Sequence, residues 1–175
     1  MHKEERCRKM RIRFERVDTG EELAVLCKLA ASIWRQHYQA LLGEEQIAYM
    51  LNKFQSEEAV REQILHQNYQ YFFIVADGED VGYVALQVQP EALFLSKLYI
   101  QKDFRGHGIA RRVVAFLQGM AAAHGLHRIW LTVNKHNEGS IAAYEKLGFA
   151  IFREHVEDIG EGYVMDDYWM EKRFI

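Results

Sequence analysis

Between Ile100 and Ile109 the chain reads Gln101-Lys102-Asp103-Phe104-Arg105-Gly106-His107-Gly108. This glycine-bearing stretch sits where a segment of strand character gives way to one of helical character. A strand-to-helix turn of that kind presents free backbone N–H groups together with the positive end of the helix, which is the chemistry of a diphosphate cradle. Glycine lets the main chain approach phosphate oxygens without a Cβ in the way. Two other phosphate loops do not fit. A P-loop needs Lys followed by Ser or Thr, and the turn has neither pair. A dinucleotide fingerprint needs a small residue three places beyond the second glycine, where this chain has Arg111. By itself the turn also reads as an ordinary tight turn with a glycine cap.

A second segment decides between these readings. Leu131-Thr132-Val133-Asn134 leads into Asn137-Glu138-Gly139-Ser140-Ile141-Ala142-Ala143-Tyr144-Glu145-Lys146-Leu147-Gly148-Phe149. The pair of segments resembles the GNAT superfamily of N-acetyltransferases. Its acyl-CoA signature, Q/R-x-x-G-x-G/A, is met by Arg105, Gly108 and Ala110. Its second signature, a strand, an Asn and a helix ending Y-x-K-x-G-F, is met by Asn137, Tyr144, Lys146, Gly148 and Phe149. The match is strong from Leu98 to Phe149, and the order of elements agrees over the whole chain.

The resemblance implies acetyl-CoA as co-substrate and a direct attack of a primary amine on the thioester. It places the pantetheine arm along the backbone of Leu98, Tyr99 and Ile100, where the sheet splays and the arm adds as a pseudo-strand. One N–H of that segment would also bind the developing oxyanion. It gives the pyrophosphate to Arg105, Gly106, His107, Gly108, Ile109 and Ala110, and adds Asn137 and Lys146 to the cofactor contacts. Asn137 would bond the pantetheine or cap its helix, and the two are compatible. Tyr144, two helical turns and about 10 Å further along, would protonate the departing CoA thiolate. A phenol stays protonated at neutral pH and can deliver its proton as charge builds on sulfur. Packing against the cofactor is the other role open to Tyr144.

The acceptor poses a separate problem. A primary amine with a pKa of about 10.4 is protonated at neutral pH, and freeing its lone pair costs about 4–5 kcal/mol. A base or a dry site must supply that. The candidates for the base are Glu91, His37, Asp166 and Asp167. Trp34, His37 and Tyr38 share a helix face at i, i+3 and i+4, and Glu44 follows shortly after. Asp166 and Asp167 lie in Met165-Asp166-Asp167-Tyr168-Trp169, where alternation allows only one of them to face the cleft. The expected substrate contacts are Trp34, His37, Tyr38, Glu44 and Asp166. These pieces resemble the bacterial spermidine/spermine acetyltransferase branch, and acids and aromatics suit a polycationic amine. A module that binds acyl-CoA without turning it over, or an enzyme acetylating proteins and peptides, remains open. The histidines His107, His124, His127 and His136 gather no completing Cys or carboxylate, so no metal is expected.

The elements that must position these groups follow from periodicity. Arg11–Arg16 alternates as a strand. Glu21 to about Leu42 carries Leu23, Leu26, Ala30, Ile33 and Trp34 at helical spacing. Gly43 breaks it, and helices follow over about Glu44–Phe54 and Ser56–His66. Tyr71–Ala76 and Val81–Gln89 read as strands joined by Asp77-Gly78-Glu79-Asp80, then Ala92–Ile100 as a third. Ile109–His124 is a helix, Ile129–Val133 a strand and Ser140–Leu147 a helix capped by Gly148. Phe149–His155 and Tyr163–Phe174 close the chain. The expected fold class is α/β (α+β), a GNAT-type mixed, mostly antiparallel central sheet flanked by helices.

Bulk composition narrows the rest. The 175 residues suit one domain over 11–175, preceded by a charged, flexible arm at 1–10 whose first nine residues need not be native, Met10 being an alternative start. Apolar residues at 49% and charged residues at 27% are globular, and a formal charge of −3 argues against a nucleic-acid surface. Cys7 and Cys27 match no metal or redox spacing, which points to a reduced, cytoplasmic setting. No stretch has the length of a membrane span or the core of a signal peptide. The partners expected are a small-molecule amine, with no nucleic acid and no membrane, and with a homodimer left open.

Overall fold

The computed structural model describes residues 10–175, so the arm expected at 1–10 and Cys7 lie outside the described residues apart from Met10. In chain order the elements are β1 (Ile12–Arg16), α1 (Gly20–Tyr38), α2 (Glu44–Gln55), α3 (Glu57–His66), β2 (Tyr69–Ala76), β3 (Glu79–Val88), β4 (Leu93–Ile100), a 3-10 turn (Lys102–Phe104), α4 (Ile109–Ala123), β5 (Arg128–Asn134), α5 (Glu138–Lys146), β6 (Ala150–Gly160) and β7 (Tyr163–Arg173). Helix starts follow their capping residues. Thr19 accepts from Glu22 N while the Glu22 carboxylate reaches back, and Ser56 accepts from Ala59 N. Asp77 and Gly78 both hold positive φ, the two-residue turn that suits the twist of a hairpin.

The long first helix expected to about Leu42 ends at Tyr38. The next residues turn, with Leu41 and Leu42 N–H groups both bonding the Tyr38 carbonyl, and Leu42 is drawn against the cluster beneath α2. The sixth strand, expected to end at His155, runs on to Gly160, while β7 starts at Tyr163 as the sequence suggests. Residues Ala150–Asp158 of the edge strand β6 are mostly exposed on both faces, so no apolar alternation marks its extent.

One seven-stranded sheet holds the order β1-β2-β3-β4-β5-β7-β6, and among the described residues the only parallel neighbours are β4 and β5. Helices α1 to α3 cover one face, over Tyr71, Phe73, Val75, Tyr83 and Ala85. On the other face α4 and α5 close over Phe72, Ile74, Val84, Leu86 and Leu95.

The parallel pair is where the sheet opens. β4 and β5 register only at Leu93↔Ile129, Phe94↔Trp130 and Leu95↔Leu131. On its other side β4 pairs Leu86↔Leu95 and Ala85↔Lys97, leaving Ser96 as an extra residue. A bulge there bends the strand and ends regular pairing. Beyond it β4 stays with β3 as far as Gly82↔Ile100. That approach needs glycine, since a Cβ on Gly82 would lie 2.2 Å from the Tyr99 carbonyl oxygen. The second half of β4 is thus held to β3 while its other edge, Ser96 to Ile100, faces the gap.

Candidate active site

The turn after β4 is built to leave donors unused. Arg105 Nε bonds the Ile100 carbonyl at 2.8 Å, folding the turn back on the strand that precedes it. Gly106 and Gly108 take positive φ, a conformation that strains any residue with a Cβ. Gly108 is the N-cap of α4 and has no side chain to satisfy the first turn. Among the described residues, no hydrogen bond is donated by the N–H groups of Gly106, His107, Gly108, Ile109 or Ala110. The first turn of α4 carries no acid, and it contains Arg111 and Arg112 at the positive end of the helix dipole. Like charges there are unfavourable unless an anion joins them. The residues present therefore fit a phosphate-bearing ligand.

Tyr144 is placed by the end of α5. Phe149 N–H bonds the Tyr144 carbonyl at 3.0 Å and Gly148 N–H bonds that of Glu145 at 2.9 Å, the paired bonds of a left-handed helix cap. The Tyr144 and Phe149 rings meet edge to face, 5.6 Å apart. Lys172 Nζ takes the Leu147 carbonyl at 2.5 Å. Although α5 lies on the α4 face, the Tyr144 hydroxyl is close enough to Tyr38 and Tyr99 for their charges to couple. Burial, then the Tyr38 phenol, pushes Tyr144 well above the usual phenol range.

Tyr38 and Tyr99 share a hydrogen bond of 2.8 Å. Burial pushes Tyr38 up to about 12, with the Asp167 carboxylate adding to the rise. Three phenols therefore converge at the gap from α1, β4 and α5. His37 packs edge-on against Tyr38 and Tyr99, with ring centroids 4.7 and 6.1 Å away. Its Nε2 accepts from Asn137 Nδ2 at 2.8 Å, while Asn137 Oδ1 caps α5 by accepting from Ser140 N. Burial and the Arg105 guanidinium hold His37 below the ordinary imidazole value, which keeps Nε2 an acceptor.

The other expected acceptor-side residues fall in different places. Trp34 is buried at 4% exposure, and its Nε1 donates to Tyr83 Oη at 2.7 Å, so it supports Tyr99 from behind. Glu44 is exposed and pairs with Arg35 at 3.4 Å. Asp166 faces the α4 side, where its carboxylate lies 2.7 Å from Lys135 Nζ. Its neighbour Asp167 is the one directed toward α1, buried at 6% exposure. Glu91 sits at the other end of the sheet, in a cavity of about 340 Å³ lined by Pro90, His127, Arg128 and Arg173. His107 and Lys146 are exposed to solvent. Among the described residues no group of three or more His, Cys, Asp or Glu is arranged to hold a metal, and no helix is long and apolar enough to cross a membrane.

Sequence reasoning missed a polar chain buried under α1 to α3. Tyr83 Oη donates to Gln55 Oε1 at 3.0 Å, and Tyr71 Oη to Gln63 Oε1 at 2.6 Å. Gln55 Nε2 reaches Tyr71 Oη at 3.5 Å, and Lys97 Nζ reaches Gln63 Oε1 at 3.4 Å. These residues sit at core positions of strands and helices, and polar atoms at such positions were the available signal.

Comparisons with known proteins agree with this architecture. Residues 30–149, more than half of the chain, match the model of the acetyltransferase (GNAT) family. An uncharacterized N-acetyltransferase from the pepI 3′ region of Lactobacillus delbrueckii subsp. lactis is 27% identical over 125 residues, covering 67% of this chain and 72% of its own. The spermidine N(1)-acetyltransferase of Thermoplasma acidophilum is 24% identical over 158 residues, covering 88% and 92%. Among solved structures, the PaiA N-acetyltransferase of Thermoplasma acidophilum in complex with coenzyme A superposes with a TM-score of 0.77 at 21% identity, over 94% of this chain and all of that one. With the opened β4–β5 pair, the glycine turn and the α5 tyrosine in place, the chain belongs to the acetyltransferase (GNAT) family.

Proposed function

We propose that the protein transfers an acetyl group from acetyl-CoA to a primary amine, with a polyamine such as spermidine or spermine the leading acceptor. The observation that carries this reading is the gap between β4 and β5. It has unused N–H groups at the α4 end and three phenols at its centre. In this reading the free edge of β4 at Leu98, Tyr99 and Ile100 receives the amides of the pantetheine arm, and one of its N–H groups stabilises the oxyanion. Gly106 to Ala110 hold the diphosphate. Tyr144 gives its proton to the sulfur as the carbon–sulfur bond breaks. Its raised pKa keeps it protonated at every working pH, and the same dry surroundings make the leaving thiolate more basic.

For the acceptor, support for a polyamine comes from the similarity to spermidine acetyltransferases and from the aromatic and acidic lining of the α1 side. The test is CoA-thiol release from acetyl-CoA with spermidine, spermine, an aminoglycoside, free amino acids and a peptide. Release should depend on added amine and be fastest with a polyamine. Tight CoA binding with no amine-stimulated release would instead identify a sensing module, and peptide as the best acceptor would identify a protein acetyltransferase.

A further inference from the structure

We infer that Asp167 is the carboxylate that receives the acceptor's ammonium group and takes its proton. This rests on the acetyltransferase reading above and assigns the base that the reading lacks. Asp167 stands opposite Asn134, the last residue of β5, at the end of that strand where β4 has already parted from it. Its side chain lies on the α1 face, near the Tyr38 phenol that bonds Tyr99. It is more than nine-tenths buried, and Oδ1 has no hydrogen-bond partner among the described residues. A buried carboxylate oxygen without a partner is costly, and an ammonium group arriving at the phenol cluster is a ligand that would satisfy it.

The other candidate bases are occupied or elsewhere. His37 Nε2 is taken by Asn137, Asp166 pairs with Lys135 on the opposite face, and Glu91 lies at the far end of the sheet. The charged and titratable groups around Asp167 also favour a cation. Glu157 and His155 approach from β6, Asp166 from its own strand, Lys135 from the segment after β5, and Tyr38 from α1. Arg153 is turned onto the Trp169 ring. Burial first, then Asp166 and Glu157, raise Asp167 to about 6, with Lys135 opposing. The group is therefore ionised at neutral pH, yet more basic than an exposed carboxylate.

The step balances without another reactant. The ammonium gives one proton to Asp167, and the freed nitrogen forms its bond to the thioester carbon. The carbon–sulfur bond then breaks, and Tyr144 protonates the sulfur. Tyr144 is restored by the second nitrogen proton, directly or through the Tyr38–Tyr99 pair. Asp167 returns its proton to solvent, so one proton is released for each amide formed.

The test is Asp167→Asn, assayed with the fastest acceptor of the panel above and with trifluoroethylamine, which is largely neutral at assay pH. For the fastest acceptor kcat/KM should fall by at least about 100-fold. The limb of the wild-type profile that falls below about pH 6 should vanish. The loss should be much smaller with trifluoroethylamine, and CoA affinity should be unchanged. Folding is checked by melting at pH 7.5. A folded pKa raised from 3.8 to about 6 means that stability falls as pH rises from 3.8 to about 6 and that the full cost of the ionised group is present above it, so the amide variant should melt no lower than wild type. An active wild type whose Asp167→Asn variant keeps both kcat/KM and the acid limb, or loses equally with both amines, overturns the inference alone. A wild type that binds CoA and releases no thiol with any amine overturns the acetyltransferase reading and this one together.

Discussion

The two sides of the β4–β5 gap are built from different material. The donor side consists of main-chain groups: the free edge of β4, the N–H groups of Gly106 to Ala110 at the uncapped start of α4, and the capped end of α5. The acceptor side consists of side chains, Tyr38, Tyr99, His37 and Asp167, resting on a buried polar chain through Trp34, Tyr83, Gln55 and Tyr71. Backbone donors need a conformation, which a few glycines and caps specify locally. Side-chain clusters need several distant elements to meet in register. One side is therefore a short-range property of the sequence, and the other is a property of the whole fold.

Tyr144 belongs to both sides, so replacing it gives the largest expected effect. It is held by the α5 cap of the donor side, while its hydroxyl couples to the acceptor-side phenols. Tyr144→Phe keeps the ring against Phe149 and removes the proton. At saturating substrates kcat should drop by at least about 100-fold, with CoA affinity and melting temperature nearly unchanged. Unaltered turnover would show that Tyr144 only packs.

The donor side alone is probed by Gly108→Val. A Cβ at Gly108 meets nothing within 4 Å among the described residues, so the damage comes from the backbone and not from a clash. At φ 75° a β-branched residue costs about 1–2 kcal/mol, and relief of that strain would turn the N–H groups away from their common target. CoA affinity, measured by titration calorimetry, should weaken by roughly tenfold or more. Full affinity would mean that the turn is a cap and not a cradle.

This division explains what could be read in advance. The turn, the Asn137–Phe149 segment, the helix caps and the Asp77-Gly78 hairpin are each specified within a dozen or so residues, and all were legible. Which of Asp166 and Asp167 enters the cleft was not. Alternation permits one, but the choice depends on the β5–β7 register and on irregularities between β6 and β7. Trp34 shares a helix face with His37 and Tyr38, and periodicity cannot tell that one lies behind the other two. The far end of β6 was hidden because an exposed edge strand carries no apolar period.

The smallest expected effect tests whether the acceptor side carries a stability cost that the donor side lacks. Lys97 is buried on β4 with no carboxylate partner among the described residues. Its Nζ lies over the Tyr69 and Tyr71 rings and 3.2 Å from Ser96 Oγ. Burial lowers it from 10.5 to about 7. Below about pH 7 the ammonium is charged in both folded and unfolded chains, and the full burial cost is felt. As pH rises from 7 toward 10.5 the folded group is neutral while the unfolded one still holds its proton, so the cost shrinks and stability rises. Lys97→Met fills the same space without charge, and Gln63 Oε1 keeps its bond from Tyr71. The variant should melt at least about 3 °C above wild type at pH 6, and the gain should have mostly disappeared by pH 9.5. An equal gain at both pH values would mean that packing, not the buried cation, sets the cost, and the contrast between the two sides of the gap would then rest on geometry alone.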